Sequence, residues 1–442
     1  MADSIAKHGA NTWFTASAAD LLKTYEPTSD PDAPPWLTEA AKHHDRSRPV
    51  ITGLTKSTDI FDVWFESGSS WHAAVRQRGL ARPQGPLTDL YLEGSDQHRG
   101  WFQLSLLPSL GVTGQSPFKT VLTHGFMVDK NGRKMSKSLG NTLDVDDLLK
   151  KFGADVCRWW VSSLNTDNDI KVDRQFFTLA GEEYRKVRNT IRFLLSNLGD
   201  FDPGHDRCTD TDTDATSPNA WALGELTTLV WVVVDAYDCY QFRRAHEALF
   251  NFCNDTMSAV YLAAMKDRLY CDSPVSRRRR HAQTTIHTIA DGLIRLLAPL
   301  MPHTADEAWR ALHGADAPNV HLEPLPSPPQ VVADPDWPQV LEARDTWLKT
   351  IEAARQELGI DNPLDCGLTI PKTDWLSRFN PVDLADLCGI SRCQLALVDA
   401  PKVQDLRDQP RCERSWKRDG TVKRRSDGGM LGDRDAEALG LV

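Results

Sequence analysis

Apolar positions follow two different rhythms along the chain. Between residues 59 and 145 they form short runs closed by turn residues. Leu90-Tyr-Leu-Glu-Gly94 predicts a brief buried strand, residues 96–110 a helix, and Phe118 to Val128 a second strand carrying the β-branched Thr120, Val121, Thr123 and Val128. Strand, helix, strand is the signature of an α/β unit with a parallel sheet. After Asp144 the apolar spacing becomes three and four residues, as in Ile286, Ile289 and Leu293, which predicts helices over 144–164, 174–198, 219–270 and 280–298. Thr304 followed by Glu307 has capping-box spacing and predicts a further helix over 305–312.

The remaining segments lack such rhythm. Residues 1–58 are mixed and proline-bearing, without a closed core of their own. Residues 314–338 hold seven prolines in 25 positions and read as a linker or extended surface segment. Residues 339–410 suggest a small α+β module, and 411–442 a basic tail. The fold class expected is therefore α/β, the second half of a parallel-sheet nucleotide-binding fold, followed by an α-helical bundle and a small α+β C-terminal region.

Composition narrows the class. The 442 residues carry 51 Lys+Arg against 61 Asp+Glu, a formal charge of −10, with 40% hydrophobic content. These values exclude wholesale disorder and a collagen-like chain. Apolar runs such as Leu229–Val234 fall far short of the roughly 20 residues that span a bilayer, so no membrane segment is expected. The first residues have no apolar stretch of a secretory signal. Nine scattered cysteines without a C-x-x-C pair indicate reduced thiols rather than a disulfide framework. A cytoplasmic location is expected.

Candidate chemistry concentrates in one loop. Lys134-Met-Ser-Lys-Ser138 lies within Asn131 to Gly140, after a predicted strand and before a helix. Two lysines three residues apart, with Ser136 between them and glycines on either side, suit a polyphosphate: ammonium groups act as mobile point charges, and hydroxyls and loop amides add donors. From the pentapeptide alone, a basic surface loop is the alternative.

The surrounding residues resemble a known family. Lys-Met-Ser-Lys-Ser looks like the second signature of the class I aminoacyl-tRNA synthetases. Asp62-Val-Trp-Phe-Glu-Ser-Gly68, Tyr91 to Phe102 and Leu122-Thr-His-Gly-Phe126 resemble the isoleucyl branch. The resemblance implies an isoleucyl-adenylate site in which Lys137, assisted by Lys134 and Ser136, contacts the phosphates of ATP brought in with Mg2+. Glu93 would bind the aminoacyl-adenylate, with Asp96 and Gln97 holding its polar groups, and Trp64 and Trp101 would wall the isoleucine pocket. Read without the family, the two tryptophans are equally core aromatics and Glu93 a helix N-terminal acid; His98 and Arg99 receive no role.

The same resemblance divides the chain. It implies the trailing edge of an editing insertion at 1–58, the C-terminal half of the catalytic domain at 59–172, a helical anticodon-binding domain at 173–313, the linker at 314–338, the module at 339–410 and the tail at 411–442. The partner implied is tRNA(Ile). Arg277–Arg280 could meet its phosphates or form a solvated turn, and Arg411 to Arg425, with seven basic and two acidic residues, is a further candidate for phosphate contact.

Two departures from the family stand out. Many relatives hold zinc in the tail with two C-x-x-C pairs; here the matching positions are Cys412 with Ser415 and Gly432 with Asp435, a set that cannot close a tetrahedral site, so no zinc is expected. The first class I signature, a His-x-Gly-His-like tetrad, does not occur in this sequence. The chain therefore reads as the C-terminal portion of a longer enzyme: a fragment, the product of a displaced start, or one piece of a split enzyme needing its N-terminal half in trans. Editing matters because isoleucine and valine differ by one methylene, worth only about 1–3 kcal/mol in a pocket, a limit for which the isoleucine enzymes are the source example. A non-catalytic tRNA-binding protein, or a valine- or leucine-specific synthetase, are the other readings.

Overall fold

The computed structural model describes residues 6–9, 11–23, 25–42, 56–57, 59–80, 85–208 and 214–441, the side chains of Ala40 and Lys137 excepted. The chain divides into two compact units, Met1–His124 and Gly125–Val442.

In the first unit, α1 (Val63–Gly68) precedes β1 (Thr88–Gly94), α2 (Trp101–Thr113) and β2 (Phe118–His124). β1 and β2 pair in parallel, with Tyr91 opposite Val121 and Glu93 opposite Thr123, so the strand–helix–strand expectation holds. The core forms around Tyr91, Phe102 and Trp71, all nearly fully enclosed. α1 and α2 touch backbone to backbone: a Cβ on Gly68 would stand 2.3 Å from the Leu104 carbonyl oxygen, so only glycine fits. The helix predicted from residue 96 begins later, because a 3₁₀ turn over Ser95–Arg99 intervenes and the Gln97 side-chain oxygen accepts from the Trp101 amide at 2.8 Å. The 1–58 segment contributes short helices such as Pro35–Lys42; residues 43–55 lie outside the described ones.

The second strand was expected to run to Val128 but ends at His124. Gly125 packs against the Asn168 backbone, where a Cβ would stand 2.2 Å from the carbonyl carbon, and its amide donates to the Thr166 carbonyl. Two residues on, the second unit opens its own strand, β3 (Met127–Val128), which pairs in parallel with β4 (Ile170–Lys171).

Helices build most of this unit. α3 (Val145–Phe152), α4 (Ala154–Ser162) and α5 (Arg174–Ser196) lead into α6 (Pro218–Asp238), α7 (Phe242–Asn251), a π-helical segment Phe252–Tyr261, α8 (Leu262–Cys271), α9 (Arg277–Leu297) and α10 (Pro302–His313). The single helix predicted over 219–270 breaks at Tyr240, whose φ of 56° is left-handed. Val187, Leu226, Val233, Leu249, Met265, Ile286 and Leu293 interlock in a dry core, each contributing about 1.5–3 kcal/mol by burial. α6 is long and apolar enough to cross a membrane by composition, but half of its apolar window is buried inside this core.

α10 starts differently from its sequence pattern. Thr304 is not its cap; the helix begins at Pro302, and the buried Asp155 carboxylate on α4 accepts from the Thr304 amide and hydroxyl, both at 2.6 Å. A carboxylate from a distant helix outcompetes the local box because it brings a full charge to the helix N-terminus.

Residues 314–336 hold a 3₁₀ turn at Val320–Leu322 between irregular stretches, and they are packed rather than loose. Thr227 donates to the Pro329 carbonyl, Asp334 to the Ala215 carbonyl, and the Trp337 ring stacks on Trp221. α11 (Trp337–Leu358) then reaches a three-stranded sheet in the order β6 (Arg392–Ala396), β5 (Cys366–Pro371), β7 (Lys402–Asp405), flanked by α12 (Pro381–Cys388). The tail folds as a β8 (Lys423–Arg424) and β9 (Met430–Leu431) hairpin with α13 (Asp433–Ala438) around Cys412, Leu431 and Ala436. All nine cysteines are unpaired.

Candidate active site

The signature loop is organised around a carboxylate that sequence reading passed over. Asp129 follows β3 directly and is buried. Its Oδ1 accepts from the amides of Asn131 and Arg133, each at 2.9 Å, while Oδ2 accepts from Arg133 Nε and Asn141 Nδ2, each at 3.0 Å. The Asn141 and Arg133 bonds hold this carboxyl well below the usual carboxylate range. Asn141 in turn accepts from the Ser136 amide at 2.9 Å and donates to the Lys134 carbonyl at 3.3 Å. Asp129 and Asn141 thus clamp both ends of the loop from one side. The sequence signal was present in Asp129-Lys-Asn-Gly132, a turn pattern in which Asp folds back on its own following amides.

The clamp leaves Lys134 exposed and Ser136 partly buried. The Lys134 ammonium makes no ion pair among the described residues. The Ser136 hydroxyl lies 3.1 Å from that of Ser138 and accepts from the Leu139 amide. The Lys137 backbone opens a 3₁₀ turn, Lys137–Leu139, and its side chain lies outside the described structure.

The other candidates belong to the first unit. Glu93 and Asp96 are exposed at the C-terminal end of β1 and just beyond it, where parallel sheets place their ligands. Glu93 Oε1 accepts from the Gly94 amide at 3.1 Å. Gln97 is buried, its oxygen committed to capping α2 and its nitrogen 3.4 Å from Asp96. The tryptophans differ. Trp101 stacks flat on Tyr91 at 4.1 Å between ring centroids, and its indole N–H donates to the Ser67 carbonyl and the Ser70 hydroxyl. Trp64 is 44% exposed, beside the similarly exposed Phe65 and Val63. Trp101 is thereby fixed in place, whereas Trp64 presents a free face.

The two basic stretches singled out in the sequence make several ion pairs with carboxylates that the fold brings near. Arg277–Arg280 is the first turn of α9, where cations oppose the helix dipole. Nearby carboxylates compensate: Arg278 pairs with Asp386, Arg279 with Asp200, and Arg280 with Asp206. The tail behaves likewise. Lys417 is buried against Asp386 and Asp267, Arg418 meets Asp365, Arg425 meets Asp433, and Arg434 binds Asp267. Arg277, Arg411, Arg414, Lys423 and Arg424 remain exposed, so each stretch divides between internally paired cations and cations at the surface.

At the matching positions of the zinc-binding relatives, Ser415 donates to Asp435 at 2.8 Å, Arg434 donates to the same oxygen at 3.0 Å, and Cys412 is enclosed among apolar neighbours. Polar bonds and apolar packing connect these turns.

Known proteins resemble this chain along two stretches. Residues 8–173 match the family described as tRNA synthetases class I (I, L, M and V), and residues 219–370 match the anticodon-binding domain of tRNA ligase. The isoleucine–tRNA ligase of Moorella thermoacetica is 38% identical over 95% of this chain and 45% of its own length. That of Desulforudis audaxviator is 41% identical over 81% of this chain and 37% of its own length. Among solved structures, the LeuRS–tRNA–LeuAMS complex of Agrobacterium radiobacter K84 aligns with 62% of this chain and 34% of its own at 19% identity and a TM-score of 0.49. The chain spans less than half the length of these curated relatives, and within it lie a class I tRNA synthetase domain and an anticodon-binding domain of tRNA ligase.

Proposed function

We propose that this chain supplies the C-terminal part of an isoleucine–tRNA ligase. In that reaction the isoleucine carboxylate attacks the α-phosphorus of ATP, pyrophosphate departs, and the isoleucyl group passes to the terminal ribose of tRNA(Ile). Negative charge grows on the departing β,γ-phosphates, so fixed cations there stabilise the transition state. Lys137 and Lys134 carry that role, with Ser136 adding a donor, and ATP arrives as its magnesium complex. Glu93 holds the aminoacyl-adenylate, Asp96 and Gln97 its polar groups, and Trp64 and Trp101 border the isoleucine side chain. The helical region at 173–313 takes the anticodon stem, and the reaction is cytoplasmic.

The observation that carries this reading is the signature loop: its backbone is clamped by Asp129 and Asn141 while Lys134 faces outward without an internal partner among the described residues. The names of the relatives favour isoleucine over other amino acids.

The catalytic fold also asks for a complement. Parallel sheets are normally multi-stranded and covered on both faces, yet β1 and β2 pair only with each other among the described residues. Ile60, Phe61, Val63 and Phe65 are exposed in the same unit. An N-terminal half acting in trans would add the remaining strands and the adenosine-binding signature.

The test is amino-acid-dependent exchange of pyrophosphate into ATP, using this chain mixed with the separately produced N-terminal half of an isoleucine–tRNA ligase. Exchange stimulated by isoleucine above valine and leucine is expected; stimulation by another amino acid, or none in a mixture that forms a complex, contradicts the reading.

A further inference from the structure

A cavity of about 670 Å³ in the second unit lies where α4 meets the start of α7 and the Pro299–Leu300 turn. Its position joins the two family-matched regions, and junctions of this kind are common ligand sites. No residue assigned above to adenylate formation lines it.

Three features give the cavity a chemical preference. Its floor is apolar, with Val161, Leu164 and Leu300. Its rim carries an aromatic pair, Tyr240 and Phe242, with ring centroids 6.5 Å apart and planes at 61°. Tyr240 reaches that position only through a left-handed backbone at φ 56°, a conformation a tyrosine adopts at an energetic cost when its surroundings hold it there. The lining also holds a fixed cation. Arg158 Nε and Nη2 donate to the Leu300 and Pro299 carbonyls at 3.2 and 2.7 Å, so the guanidinium is immobilised with Nη1 unpartnered among the described residues. Arg243 lines the same cavity and spends only Nε, on Glu247 at 2.8 Å. The lining carries Arg158, Arg243 and Arg244 against Asp167 and Glu247, with Arg244 paired to Asp235 outside it.

A flat ring on the aromatic pair and an anion on the guanidinium groups is the chemistry of a nucleotide. We propose that this cavity is a nucleotide-binding site separate from the signature loop, taking a planar base against Tyr240 and Phe242 and its phosphate against Arg158 and Arg243. The volume suits one nucleotide, and base stacking on an aromatic side chain typically changes affinity about tenfold or more. The bound group is either a free mononucleotide or one unstacked nucleotide of an RNA strand. The inference does not rest on the activity proposed above.

Cys157 lines the cavity and Cys239 is exposed outside it, which provides an internal control. The full chain is alkylated with N-ethylmaleimide, and each thiol is followed by mass spectrometry with AMP, an RNA pentanucleotide or inorganic phosphate present. AMP is expected to slow modification of Cys157 at least fivefold while leaving Cys239 unchanged. Tyr240→Asn, which suits a left-handed backbone, and Arg243→Met should each raise the AMP concentration needed by at least tenfold, and Lys134→Ala should not. Protection by the pentanucleotide alone assigns the nucleotide to an RNA strand. Equal protection by inorganic phosphate, protection by neither nucleotide, or protection abolished by Lys134→Ala overturns the proposal.

Discussion

The Lys417 ammonium lies 2.7 Å from a carboxylate oxygen of Asp386, in a place where the Asp386 side chain has no exposure at all. Asp386 also accepts from Arg268 and Arg278, so one carboxylate on α12 joins α8, α9 and the tail. Removing it takes a carboxylate from three cations at once, leaving Lys417 only Asp267 and Arg268 only Asp383, and breaking a buried pair typically costs about 3–5 kcal/mol. Asp386→Ala is therefore expected to lower the urea midpoint far more than Lys417→Met, which removes the cation and keeps an apolar stem in place. Equal shifts for the two variants would contradict this account.

Acid should loosen the tail through Asp267. Burial opposes ionisation of this carboxyl, but the Arg434 hydrogen bond and the Lys417 and Arg434 charges outweigh it and hold its pKa at about 2. The unfolded value is about 3.9. Because the folded value is the lower, the contribution is fully present above about pH 4 and disappears as pH falls towards 2. Urea midpoints measured over that range should fall more steeply for the native chain than for Asp267→Asn; parallel curves would refute the assignment.

Asp129 is buried and bonded to the loop's own groups, so its effect on activity is expected through the shape of the loop. Asp129→Ala should reduce isoleucine-dependent exchange by at least tenfold in the assembled enzyme, since removing a positioned transition-state donor typically costs about 10²–10³-fold. Asp129→Asn keeps acceptor capacity on one oxygen and should recover part of the loss. If both variants exchange pyrophosphate at the native rate, the clamp is irrelevant to the chemistry.

The arginine run makes a different prediction. Arg279 is turned inward to Asp200 and the Leu269 carbonyl. Arg279→Ala should lower thermal stability while leaving the salt dependence of tRNA binding unchanged. A side chain that neutralised one tRNA phosphate would, on removal, reduce the slope of log affinity against log salt by about 0.9 in duplex regions and about 0.7 in single strands. A reduction of that size would restore the phosphate-facing reading.

Local pattern and distant partner divide what a one-dimensional reading can reach. The Leu90–Gly94 strand and the Ile286–Leu293 stripe were legible because periodicity is local and burial follows it directly. The inward turn of Arg278 was not, since its acceptor Asp386 lies 108 positions away and only folding brings them together. Asp155 capping α10 from 149 positions away defeated the Thr304 pattern for the same reason. Within the candidate site, the signature lysines were plain from the motif, whereas Asp129 was hidden because a lone carboxylate after a strand reads as an ordinary turn residue. Trp101 shows the converse: the motif gave it a pocket role, and its flat stacking on Tyr91 reveals how it is held.

The central claim, that the signature lysines drive adenylate formation, is tested most directly by isoleucine-dependent pyrophosphate exchange in the complemented enzyme carrying Lys137→Ala or Lys134→Ala. The account predicts that Lys137→Ala lowers the rate at least tenfold and Lys134→Ala lowers it by a smaller factor, with the fold unchanged by circular dichroism. Exchange at the native rate in Lys137→Ala would contradict it.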